Sequence, residues 1–109
     1  MNLLILPGDG IGPEIMAATL TVLRKADTLF KLGLSYETYD IGLATLKTHG
    51  TTLPPSVTDA VAKADGVILG PVSHLDYPPA AEGGVNPSGI LRTRFDLYAN
   101  IRPARSRAG

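Results

Sequence analysis

The chain has 109 residues, ten basic and ten acidic side chains, no cysteine and 44% hydrophobic residues. That is enough for one small domain, and the zero formal charge leaves no footprint for nucleic acid or an anionic membrane. Without cysteine, disulfides and thiolate zinc sites are excluded, and nothing about the redox compartment can be read. The opening Met1–Gly8 stretch has no basic run, and its apolar segment is too short for a signal peptide or a membrane span. A cytoplasmic protein without nucleic-acid or membrane partners is the default expectation.

Leu3–Leu6 is a continuous apolar run, the pattern of a strand buried on both faces. A turn-rich loop follows, Pro7-Gly-Asp-Gly-Ile-Gly-Pro13. Pro13 suits the first position of a helix, and Glu14 suits its positive end. Ile15, Ala18, Val22, Ala26, Leu29 and Phe30 then keep helical spacing to about Leu32, with Gly33 as the stop. Leu34–Tyr39 alternates as a second strand. Ile41–Gly50 reads as a short helix, and Ser56 is placed to cap another through Val57, Ala60, Val61 and Ala64. Gly66–Gly70 is a third short buried strand. This order predicts an α/β layer with a mostly parallel sheet. Pro71–Pro87 is a loop long enough to be either functional or disordered.

The last segment, Ser88–Pro103, holds Arg92 and Arg102, ten positions apart. Ile90, Leu91, Arg94, Phe95 and Leu97 predict one or two helical turns, and Tyr98–Arg102 predicts a strand stopped by Pro103. A straight helix would hold the two guanidiniums ~15 Å apart. A helix that folds back into an extended segment would bring both to one pocket, where two forked donors can grip a small di- or tricarboxylate. The plain alternative is that both arginines are solvated or pair with acids such as Asp96. Five of the ten basic residues lie in the final 19 positions, against the single acid Asp96.

The first loop is not the dinucleotide fingerprint. Gly8 and Gly10 fit, but Pro13 stands where the third glycine belongs. Asp9 would also repel a pyrophosphate. Its glycines permit either a ligand beside backbone N–H groups at a helix start or simply a tight strand-to-helix turn. Gly70–Asp76 follows the third strand, so it and the first loop are expected to share a crevice beyond the strand ends. His74 stands there, although a lone loop histidine is ordinarily without chemistry. No spacing gives a metal-ligand set or a nucleophile–base pair.

Leu6-Pro-Gly-Asp-Gly-Ile-Gly-Pro-Glu14, Ala64–Gly70 and Leu91-Arg-x-x-x-Asp-Leu-Tyr-Ala-Asn-Ile-Arg-Pro103 together resemble the N-terminal part of the β-decarboxylating dehydrogenases. That family includes 3-isopropylmalate, isocitrate, homoisocitrate and tartrate dehydrogenases. The resemblance implies a three-layer α/β fold, with residues 1–109 forming the N-terminal portion of the first domain. It implies NAD- or NADP-dependent oxidative decarboxylation of a 2-hydroxy-3-carboxy acid, of isopropylmalate type, with isocitrate or tartrate type as alternatives. By motif position Arg92 and Arg102 hold substrate carboxylates. Ser88 and Asn86, four and six residues ahead of Arg92, face the variable part of the substrate. Ile11 and Gly70, Pro71, Val72 and Ser73 line the cofactor side. The family's catalytic Tyr and Lys, and the aspartates that bind Mg²⁺ or Mn²⁺, have no counterpart in these residues, so the resemblance makes this chain a fragment, inactive alone, of a homodimeric enzyme. Polar Ser88 and Asn86, and Val85 in place of the acid common in isopropylmalate enzymes, speak against a plain isopropyl pocket. A reading of another class stays open, a non-catalytic anion- or nucleotide-binding module.

Overall fold

A computed structural model describes residues 1–107. The elements run β1 (Asn2–Leu6), α1 (Gly12–Phe30), β2 (Ser35–Thr38), α2 (Leu43–His49), α3 (Pro55–Lys63), β3 (Gly66–Leu69) and α4 (Pro87–Arg94), with single 3₁₀ turns at His74–Asp76 and Ala80–Glu82 between β3 and α4. The strands form one parallel sheet in the order β2-β1-β3, with Leu4 paired to Glu37 on one side and to Val67 on the other. Parallel strands need crossovers, and right-handed crossovers that run from β1 to β2 and then back from β2 past β1 to β3 place α1 on one face and α2 with α3 on the other. The sheet is therefore wound both ways, with the parallel pairing that the order of apolar runs predicts and the three layers that the family resemblance implies.

Side chains alternate along β1, so Leu4 and Leu6 share a face. They are fully buried in a cluster with Ile41, Leu53, Val57 of α3 and Leu91 of α4. The long loop after β3 is ordered rather than loose. Thr52, fully buried, donates from its hydroxyl to the carbonyl of Val85 at 2.6 Å and accepts from the Val85 N–H at 2.9 Å. One side chain thus replaces the ladder partners this segment lacks.

The structure resolves one choice on α1 and corrects three expectations. On α1 the buried positions are Gly12 and Met16, with Leu20 and Leu23 half-buried. The stripe of Ile15, Val22, Leu29 and Phe30 is exposed instead, Val22 and Phe30 at 71% and 72%. Both stripes repeat at the helical period, and only packing selects between them. The helix also stops before Gly33, with Lys31 taking the left-handed conformation at φ 52°. Ser56 does not cap α3, because the helix begins one residue earlier, at Pro55, whose absent N–H is harmless at a first position. The predicted strand at Tyr98–Arg102 does not form among the described residues. A strand needs a neighbour's free N–H and C=O groups, and none pairs with this stretch, whose Tyr98 and Ile101 stand in solvent.

Candidate functional site

β1 and β3 are parallel neighbours, so the loops that follow them emerge side by side at the carboxyl end of the sheet, where ligands of open α/β sheets sit. The Pro7–Gly12 and Gly70–Ser73 loops emerge there and pack backbone to backbone. The Asp9 N–H donates to the Pro71 carbonyl at 2.8 Å, and the Gly70 N–H to the Leu6 carbonyl at 2.8 Å. A Cβ on Gly8 would strike the Pro71 carbonyl, and one on Gly70 would strike that of Pro7. These glycines serve the contact between the loops. The close approach that sequence left open to a ligand is taken by protein backbone.

α4 reaches the same end of the sheet. Asn86 caps it, its Oδ1 accepting from the Gly89 N–H at 3.4 Å, and Pro87 occupies its first turn. The helix closes with the Leu97 N–H bonded to the Arg92 carbonyl and the Asp96 N–H to that of Thr93, while Asp96 turns left-handed at φ 47°. This pair of bonds is a Schellman motif. It reverses the chain and sends Arg102 back toward Arg92.

The result is a cleft of about 540 Å³ lined by Leu69, Gly70, Pro71 and Val72 on one wall, His74 at its edge, and Asn86, Ser88, Arg92 and Arg102 on the other. The substrate-side residues expected from sequence, Arg92, Arg102, Ser88 and Asn86, thus come together with three of the five cofactor-side residues. Ile11 and Ser73 are not among the lining. Ile11 is 64% exposed on the outer loop, and the Ser73 N–H is turned to Asp9. His74, an unremarkable loop residue by sequence, does line the cleft. A second, apolar groove of about 650 Å³ between α3, β3 and α4 adjoins the cleft at Leu69, Ser88 and Arg92.

The polar groups facing the cleft are mostly donors. Nε of Arg92 donates to the Ser88 carbonyl at 3.2 Å, which orients the guanidinium and leaves its terminal nitrogens free for a ligand. The cap uses the Asn86 carbonyl oxygen, leaving its NH₂ to donate. No carboxylate is in the lining among the described residues, so two guanidinium charges face the space without a counter-charge. Such a surface accepts an anion with several acceptor oxygens.

Asp9 does not face this space. It is 7% exposed and turned into the protein. Its Oδ1 accepts from the Leu43 N–H at 2.7 Å and its Oδ2 from the Ser73 N–H at 3.1 Å and from the Tyr77 hydroxyl. Burial, then the hydrogen bond to Asp9 and its negative charge, raises the Tyr77 pKa well above the usual phenol value. The aspartate in a glycine-rich turn was a sequence signal for an inward acceptor as much as for a ligand contact, and spacing alone does not separate the two.

Comparison with known proteins follows the same lines. A family model described as isocitrate/isopropylmalate dehydrogenase matches residues 2–108. A 3-isopropylmalate dehydrogenase of Saccharophagus degradans is 42% identical over 106 residues, covering 94% of this chain and 29% of that protein. The 3-isopropylmalate dehydrogenase of Escherichia coli K12 is 37% identical over 109 residues, covering 95% and 30%. Among solved structures, the apo β-decarboxylating dehydrogenase of Thermococcus kodakarensis superposes with a TM-score of 0.72 at 27% identity, over 89% of this chain and 27% of that one. The isocitrate dehydrogenase of Methylococcus capsulatus gives 0.72 at 27% identity, over 89% and 26%. The chain spans about 30% of the length of the curated relatives it matches.

Proposed function

The chain belongs to the isocitrate/isopropylmalate dehydrogenase family, and from that premise we propose that the protein oxidatively decarboxylates a 2-hydroxy-3-carboxy acid with NAD or NADP, in the manner of a 3-isopropylmalate dehydrogenase. The convergence of Arg92 and Arg102 on one cleft with no carboxylate in its lining carries this reading. Each fork takes a carboxylate through parallel N–H bonds, and Arg92 is already oriented by the Ser88 carbonyl. Gly70, Pro71 and Val72 form the facing wall, against which the cofactor would lie. NAD or NADP bound there would supply the hydride acceptor. The family also implies Mg²⁺ or Mn²⁺. No three His, Cys, Asp or Glu side chains form a metal site among the described residues, so the part these residues play is recognition and orientation of the acid. A homodimer is the assembly the family resemblance supports.

Asn86 and Ser88 favour a second reading within the family. An isopropyl group against the Asn86 NH₂ and the Ser88 hydroxyl would leave both without partners, whereas a hydroxyl or carboxylate on that carbon would satisfy them. An assay of the intact protein with Mn²⁺, NAD or NADP, and 3-isopropylmalate, isocitrate and tartrate in parallel separates the readings. Reduction of the nicotinamide with one of these acids is expected, and none with any of them sinks the proposal. Arg92→Ala should lower kcat/KM for the preferred acid by roughly a hundredfold or more. Arg92→Lys should recover little of it, since an ammonium lacks the fork.

A further inference from the structure

We propose that Asp9 is a positioning residue for the cleft: its buried carboxylate fixes the Gly70–His74 wall in place across from Arg92 and Arg102. The inference rests on the dehydrogenase reading only in naming what the cleft binds. Three donors from parts of the chain distant from Asp9 meet at this carboxylate. They are the Leu43 N–H at the start of α2, the Ser73 N–H of the wall segment, and the Tyr77 hydroxyl of the turn after it. The Asp9 N–H adds a fourth tie, to the Pro71 carbonyl at 2.8 Å. Gly42, left-handed at φ 78°, lies so close that a Cβ there would strike the carboxylate. The pocket holding Asp9 is thus shaped around an acceptor.

Ser73 and Tyr77 bracket His74, so both ends of the segment that carries His74 to the cleft edge hang from Oδ2. Asp9 is not part of the cleft lining and acts through this wall. Asparagine is the informative substitute because it keeps the shape and loses one acceptor. In either orientation its NH₂ must face a backbone N–H, that of Ser73 or that of Leu43, and neither can turn to accept.

The test uses the intact protein and L-malate, a simple dicarboxylate, as the probe. Binding is followed by amide NMR at Gly70–His74 and by titration calorimetry, so it needs no turnover. Asp9→Asn should weaken malate binding by roughly tenfold, and in an active enzyme it should raise KM while leaving kcat at saturation within about twofold, as for lost uniform binding. Tyr77→Phe, which removes one hydroxyl and leaves the other two bonds, should weaken malate binding by roughly threefold. A purely structural role lowers the unfolding temperature yet leaves the affinity of the folded protein unchanged. Wild-type malate affinity and wild-type shifts at Ser73 and His74 in Asp9→Asn overturn the inference. If that variant does not fold, the same result in Tyr77→Phe overturns it. Absence of nicotinamide reduction by the wild type would remove the dehydrogenase reading and leave the malate result standing by itself.

Discussion

The Tyr77 hydroxyl donates to a carboxylate buried beside it, and that contact makes the fold sensitive to alkali. Its folded pKa is raised, by burial first and by Asp9 second, so the folded state holds the proton longer than the unfolded chain does. The associated stability is whole below the ordinary phenol pKa of about 10 and is lost as pH rises beyond it. Urea unfolding of the wild type between about pH 9 and pH 11 should therefore show falling stability, with a shallower fall in Tyr77→Phe. Equal slopes would mean that the phenol does not hold its proton in the fold. Arg92, Arg102, Ser88 and Asn86, singled out by motif position, line one cleft. Asp9 turns inward and Ile11 lies outside the cleft lining, because direction, inward or outward, is not encoded in the type of a loop residue.

Among the elements, α4 and its reversal matter most to the site. Asp96 occupies the left-handed position that usually belongs to glycine. A short polar side chain tolerates it, but a β-branched one does not. Asp96→Val should destabilise the fold by about 1–2 kcal/mol and weaken malate binding, because Arg102 depends on the reversal to reach the cleft. Asp96→Gly should match or exceed wild-type stability by chemical denaturation. Wild-type stability in the valine variant would show that the reversal is not held at this residue. The helix α4 was legible from its apolar positions and from Asn86-Pro87. The strand expected after it was not realised, because alternation describes a segment able to pair and does not supply the partner.

For the whole molecule, the sheet order makes a ranking of local stability. β1 is paired on both sides and fully buried at Leu4, Ile5 and Leu6, whereas β2 and β3 each have one paired neighbour among the described residues. Amide exchange should be slowest in β1, faster in β2 and β3, and fastest along Tyr98–Arg107, which takes part in no ladder. Exchange in Tyr98–Arg102 as slow as in β1 would reveal a pairing partner for that segment. No described helix is long and apolar enough to cross a membrane. The stripe Ile15, Val22, Leu29 and Phe30 on α1 keeps helical spacing and is exposed.

By itself the sequence determined the kinds of elements and their order as far as α4, and the parallel sheet. Those features live in local periodicity, in turn residues such as Gly50 and Pro13, and in motifs a few residues long. Tertiary structure alone decided which of two apolar stripes on α1 is buried, that Asp9 turns inward to three donors, that Gly8 and Gly70 admit each other's loops, and that His74 reaches the cleft while Ile11 does not. These outcomes depend on partners far away in the chain. A helix repeats both of its faces every 3.6 residues, and a loop side chain has no periodicity at all, so neither carries a local record of what it will meet.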